Sequence, residues 1–225
     1  MYNQKFNLSI FTKCIAIAIV ASHANASADI DRHENMTVTA TKQALSITKV
    51  DGSIMVKTGE ELEKAGITEV KDLIKAFPGV LIHTRGNRTY ASTTIRGMNS
   101  PDFYSPSINI YVDGIKQDSA FLTQQLLNVE RVELLRGSQG AIYGSNAQGG
   151  VINIITHKGD ETTLAANVNY SNRSQQIGTT LSTHISDNIY ADLVLRGVHE
   201  DGYIKHLPTN TKDANDTDTK SGMAR

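Results

Sequence analysis

At 225 residues, with 22 Lys+Arg against 23 Asp+Glu and a formal net charge of −1, the chain lacks the basic surplus that binding a polyanion requires, which argues against nucleic acid as a partner. Its single cysteine excludes an intramolecular disulfide and any multi-thiolate zinc site, and no run of about 20 apolar residues offers a membrane-spanning helix. Residues 1–26 carry Lys5 and Lys13 but no acidic residue, then an apolar run at 14–21, then Ala24, Asn25 and Ala26. That is the order of a secretory signal peptide, with cleavage expected after Ala26 and Cys14 lost with the leader. Residues 27–46 are polar, lack helical periodicity and read as a flexible arm. Within the arm, Met36, Thr37, Val38, Thr39 and Ala40 form a β-prone stretch that fits either strand addition to a partner's sheet edge or an ordinary linker.

A compact block follows over residues 47–157. Thr58 and Glu61 sit at capping-box spacing, which predicts a helix over about 59–65 with Gly66 at its stop. A second helix is predicted from Thr68, where Val70, Leu73, Ile74 and Phe77 follow helical spacing before Pro78 ends it. Strands are predicted at 80–82, 93–95 and 107–112, the last alternating Ile108, Ile110 and Val112 with polar positions before an Asp113-Gly114 turn. A short helix around 121–127 and strands at 131–135 and 151–156 complete an α+β domain with a short mixed sheet and small helices.

From residue 158 to 206 the pattern changes. Leu164, Ala166, Val168 and Tyr170 share one face, as do Ile177, Thr179, Leu181, Thr183 and Ile185, and then Ile189, Ala191, Leu193 and Leu195. Three long alternating strands joined by short turns match the first strands of an outer-membrane barrel, and equally match a soluble antiparallel sheet. Residues 207–225 are rich in Thr, Asn, Asp and Lys and are predicted to be disordered.

No arrangement supports catalysis. The seven histidines are scattered, and G-x-S-x-G, H-E-x-x-H and C-x-x-C are all missing. The glycine-rich stretch 137–150 lacks the lysine of a phosphate loop and the spacing of a dinucleotide loop, so it reads as tight turns between strands.

That stretch and its flanks carry a resemblance. ERVELLRG at 130–137, AIYG at 141–144 and AQGGVINIIT at 147–156 resemble the closing motif of the plug domain of TonB-dependent outer-membrane receptors. Residues 36–40 resemble a TonB box, LIKAFPGV at 73–80 the PGV motif, TIRG at 94–97 the strand-RG motif, and IYVDG at 110–114 the YVDG motif, all in family order. Residues 102–106 and 147–150 are similar to the yersiniabactin/pesticin-type ferric siderophore receptors, while Ser138 departs from the proline usual in the family.

The resemblance implies a plug seated in a barrel of about 22 strands, a ferric siderophore or other scarce nutrient bound on outward loops, and import driven by TonB pulling on the box. It makes the chain a transport protein of the cell outer membrane, with no catalytic residue and no cofactor, the siderophore itself holding the iron so that no protein metal ligand is expected. It places Arg96, Glu130, Arg131, Glu133 and Arg136 as ion-pairing docking residues facing the polar barrel interior. It also makes Arg85 and Arg88 attractors of an anionic iron complex, and Tyr90, Phe103 and Tyr104 flat apolar contacts for it. Three strands cannot close a barrel, so the chain is expected to be the N-terminal, truncated part of a receptor. The alternative is a plug-only periplasmic binding or regulatory module, or a non-functional truncated receptor.

Overall fold

The computed structural model describes residues 37–38, 45–46, 53–84, 91–100, 105–159, 162–186, 189–202, 204, 207 and 216–225. The leader at 1–26 and most of the arm lie outside the described residues. Two short arm strands are described, β1 (Thr37–Val38) and β2 (Leu45–Ser46), which pair antiparallel with Thr37 opposite Ser46.

Strand β3 (Ser53–Thr58) leads directly into helix α1 (Gly59–Lys64). The capping box forms as its spacing predicts: the Glu61 amide donates to Thr58 Oγ1 at 3.2 Å, and the Thr58 amide donates to Glu61 Oε2 at 2.8 Å. Two free N–H groups at the helix start are thereby satisfied. The second predicted helix is instead a 3₁₀ segment, Val70–Lys75, whose first residue is preceded by Glu69 without a side-chain cap. Its first amide, of Val70, donates outside the segment to the Gln124 carbonyl at 3.0 Å, and the Asp72 and Ala76 amides close tight turns on the Glu69 and Leu73 carbonyls three residues back, both at 3.0 Å. The helix expected near 121–127 is likewise a 3₁₀ segment, Ser119–Thr123, capped by Asp118, whose carboxylate accepts from the Ala120 amide at 2.9 Å.

The main sheet has the order β3-β9-β10-β7-β8, where β7 is Ile108–Val112, β8 Ile115–Gln117, β9 Val129–Arg136 and β10 Gly150–Thr156. The β7–β10 pair is parallel and the other neighbours are antiparallel. A smaller antiparallel sheet is built from β4 (Val80–Thr84), β5 (Ala91–Ile95) and β6 (Met98–Asn99). Because successive side chains of a strand point to opposite faces, β9 sends Val132 and Leu134 into the larger core, with Phe77, Leu73, Ile95, Ile108 and Ile152. Leu135 goes to the other face with Tyr111, Tyr143, Ala147 and Val151, covered by the short helix α2 (Gly140–Tyr143) and the turn after it.

A second, four-stranded antiparallel sheet follows: β11 (Thr163–Tyr170), β12 (Ser174–Ser186), β13 (Ile189–Glu200) and β14 (Thr217–Ala224). Strand β14 corrects the expectation of a disordered tail. Its side chains alternate between half-buried Thr217, Thr219, Ser221 and Met223 and exposed Asp218, Lys220, Gly222 and Ala224, so low hydropathy here marks a strand with a polar covered face.

The polarity of this wall decides between the two sheet types left open by alternation. Leu164 and Val168 are 65% and 68% exposed, and Ile177, Leu181, Leu193 and Leu195 also lie outward. Registered rows such as Leu164, Leu181 and Leu193 run unbroken across three strands. Ser182 and Asp192, opposite one another on β12 and β13, are buried on the inner face. A soluble sheet covers its apolar face and wets its polar one. Across β11–β13 the arrangement is inverted, as in a transmembrane barrel wall, so the fold is a plug followed by partial barrel strands.

Candidate functional site

The charged motif of β9 lies inside the plug. Glu133 has no exposed surface; its Oε1 accepts from Arg131 Nε at 2.9 Å and its Oε2 from Asn153 Nδ2 at 3.3 Å. Arg131 also meets Glu130, whose side chain stays 41% exposed. Arg136 donates to the Pro78 carbonyl at 2.8 Å and touches Met55 Sδ, while exposed Arg96 reaches Ser53 Oγ at 3.4 Å. Glu133 and Arg131 therefore neutralise one another within the plug rather than facing outward, because their alternation on β9 points Glu133 under α2 and its turn. Arg96 and Glu130 retain outward surface.

The stretch 137–150 links β9 to β10 through tight turns on either side of the short helix α2, which the glycines alone did not suggest. The Gly137 amide donates to the Gly149 carbonyl at 3.0 Å, and the Gly149 amide to the Ser107 carbonyl at 2.9 Å. A Cβ on Gly149 would stand 2.4 Å from Ile95 Cγ2, and one on Gly150 2.3 Å from the Leu135 carbonyl oxygen, so close chain approach excludes larger residues. Asn109 Nδ2 donates to the Ser145 carbonyl at 3.0 Å, and Tyr111 Oη donates to the Tyr143 carbonyl at 3.0 Å. Burial first, then the Glu133 charge and Tyr111, push the Tyr143 phenol up to about 12.

Three buried hydroxyls cinch the base of the loop that follows β6. Ser100 Oγ donates to the Thr93 carbonyl at 2.9 Å and accepts from the Ser107 amide at 2.9 Å. The ligand-loop candidates Arg85, Arg88, Tyr90, Phe103 and Tyr104 lie outside the described residues, as do Met36, Thr39 and Ala40 of the box stretch. Among the described residues no group of three or more His, Cys, Asp or Glu side chains gathers with metal-ligand geometry.

Two arginines cross from wall to plug. Arg196 on β13 donates to the Leu126 carbonyl at 2.8 Å. Arg225, just past β14, donates from Nη1 to Asp113 Oδ2 at 3.0 Å and Thr156 Oγ1 at 2.9 Å, and from Nη2 to the His157 carbonyl at 2.5 Å. Its Nη2 also lies 3.4 Å from Asp192 Oδ2. Around these contacts the seam is open. One gap of about 420 Å³ lies between Val112, Phe121 and Ile154 on the plug and Ser221 and Met223 on the wall, and another of about 250 Å³ lies near Arg196. Sequence reasoning missed Arg225, Arg196, Asp113 and Asp192 as seam residues. The inward polar positions of β13 were the signal for Asp192 and Arg196; nothing local marks Arg225.

A plug with a mixed sheet, tied by polar contacts to an outward-apolar strand wall, is the architecture of a plugged outer-membrane barrel. Residues 46–151 match the family described as TonB-dependent Receptor Plug Domain. Residues 46–151 therefore belong to the plug-domain family of the TonB-dependent receptors. It is 35% identical over 208 residues to the pesticin receptor of Yersinia pestis, covering 90% of this chain and 31% of that one. It is 30% identical over 209 residues to the vitamin B12 transporter BtuB of Vibrio vulnificus strain YJ016, covering 89% and 33%. Among solved structures, the ferric yersiniabactin uptake receptor FyuA from Yersinia pestis superposes with a TM-score of 0.69 at 35% identity, over 76% of this chain and 28% of that chain. The chain thus spans about a third of the length of these curated relatives, which by name are receptors and transporters rather than enzymes.

Proposed function

We propose that this chain is the N-terminal part of a TonB-dependent outer-membrane receptor that imports a ferric siderophore, with residues 47–157 as the plug and β11–β14 as the first barrel strands. The observation that carries this reading is the inverted polarity of the wall, whose apolar rows face away from the plug while its arginines reach inward to it. The 35% identity to a pesticin receptor and to a ferric yersiniabactin receptor supports a siderophore as the cargo class. Met36, Thr37, Val38, Thr39 and Ala40 act as the TonB box, adding a strand to the coupling protein. Arg85, Arg88, Tyr90, Phe103 and Tyr104 supply ligand contacts on the loops flanking β5 and preceding β7, the first of which closes the β4–β5 hairpin and the second of which is cinched by Ser100 and Ser107. Arg96 and Glu130 meet barrel strands beyond β14, while Arg131, Glu133 and Arg136 act within the plug. Residues 1–26 direct export. A plug-only periplasmic module is disfavoured by the outward apolar rows, which would expose a large sticky surface to water.

The test is uptake of iron-labelled ferric yersiniabactin and of labelled cobalamin by cells making the complete receptor, with and without TonB and with residues 36–40 deleted. Energy-dependent uptake of the ferric siderophore that the deletion abolishes, with binding retained, is the expected result. Cobalamin uptake in its place refutes the cargo, and uptake that survives the deletion refutes the box.

A further inference from the structure

Arg225 has two distinct sets of partners. On the wall, its backbone exchanges two 2.9 Å hydrogen bonds with Asp192, its guanidinium lies 3.4 Å from the Asp192 carboxylate, and its Cζ sits 5.7 Å from the centre of the Tyr190 ring. The Asp192 side chain has no exposed surface, and neither of its oxygens accepts a hydrogen bond among the described residues, so Arg225 is its counter-ion. Across the seam, the same guanidinium meets three oxygens of the plug: the Asp113 carboxylate, the Thr156 hydroxyl and the His157 carbonyl.

The plug side is equally self-sufficient. Asp113 sits in a turn at φ 47° and accepts from the Thr156 amide at 3.0 Å and the Thr156 hydroxyl at 2.6 Å. These bonds tie the end of β7 to the end of β10, the parallel pair at the centre of the plug sheet. Parting wall from plug at this point therefore leaves Arg225 with Asp192 and Asp113 with Thr156. Removing one member of a buried pair normally strands a charge at high cost. Here each ion keeps a resident partner, and Asp113 and Arg225, with side chains 33% and 29% exposed, stay within reach of water. The contact is charge-assisted and multidentate, hence firm when closed, yet its opening abandons no bare charge. The open gaps beside it leave this seam poorly held by apolar packing.

Resting on the receptor reading above, we propose that Arg225 is a releasable latch, a positioning residue whose contacts with Asp113, Thr156 and His157 must part before the plug can leave this side of the wall. The test uses the complete receptor in the outer membrane and measures entry of vancomycin, too bulky to pass a seated plug, alongside binding of ferric yersiniabactin. Arg225→Ala raises vancomycin entry roughly tenfold, the scale of one charge-assisted contact. Arg225→Lys and Asp113→Asn raise it less, and the Arg225→Ala/Asp113→Ala double variant no further than Arg225→Ala alone, with ligand affinity unchanged throughout. Should Arg225→Ala fail to reach the membrane because Asp192 is stranded, Arg225→Ala/Asp192→Asn removes that charge and Asp113→Asn gives the second reading. Unchanged entry in these variants at parental receptor levels, or effects of Arg225→Ala and Asp113→Ala that simply add, overturns the latch. A parent receptor that neither binds the ferric siderophore nor depends on TonB overturns the receptor reading instead.

Discussion

Replacing Arg131 by alanine tests the charge arrangement inside the plug. Glu133 is fully buried at the centre of β9, and Arg131, 12% exposed, supplies the cation facing it at 2.9 Å. In Arg131→Ala the carboxylate stays desolvated and keeps the Asn153 amide at 3.3 Å, but loses the Arg131 guanidinium. Breaking a buried pair from one side costs about 3–5 kcal/mol, and the surviving amide bond places this case near the lower end, at about 3 kcal/mol. The double variant Arg131→Met/Glu133→Gln removes both charges while nearly preserving volume, and recovers most of that loss. Native-state hydrogen exchange of the β9 and β10 amides, measured on the full chain in detergent micelles, reads both values as opening free energies. The reasoning fails if Arg131→Ala stays within about 1 kcal/mol of the parent, the range of an exposed ion pair, or if the double variant is no more stable than the single one.

On the wall, Leu181→Arg places a charge in the outward apolar row and lowers insertion into lipid vesicles by about 2–4 kcal/mol if the position lies at mid-bilayer; vesicle partitioning indifferent to this change would show that the row does not face lipid. Thr58→Ala removes one half of the capping box and destabilises α1 by about 1 kcal/mol, seen as faster exchange of its amides. Partial burial alone would raise the Glu61 pKa, but bonding to Lys57 and to the Thr58 amide outweighs it and holds the carboxyl below its ordinary value. Its contribution is therefore complete above the unfolded pKa, disappears as pH falls through the lower folded value, and Glu61→Gln flattens that acid slope. Tyr143 behaves in the opposite range: with its phenol at about 12 against about 10 unfolded, the plug loses stability as pH climbs between the two. Tyr143→Phe removes this loss, and alkaline titration of tyrosine absorbance together with unfolding midpoints checks it.

Local signals were legible where a few adjacent residues settle the outcome. The Thr58 and Glu61 capping box, the Asp113-Gly114 turn and the alternation of β7, β12 and β13 all needed only neighbours in sequence, and each appears in the structure close to its expected place. Strand β3 was not anticipated, because Ser53–Thr58 is short and owes its conformation to pairing with β9, more than 70 residues away in sequence. The second helix tightened to 3₁₀ because its anchoring bond, from the Val70 amide to the Gln124 carbonyl at 3.0 Å, lies outside its own segment. Strand β14 was hidden by composition, since polar and small residues mark a disordered tail in water but also mark a barrel strand whose inner face is polar.

The sequence by itself determined the periods, the caps, the turn glycines and the ordered motifs that identify a plug. Tertiary structure decided which face of each alternating strand is covered. A period of two defines two faces and says nothing about which one meets the rest of the protein. That choice turned three ambiguous strands into a barrel wall, drew Glu133 inside the plug beside Arg131, and brought Arg225 to Asp113 across 112 positions of chain.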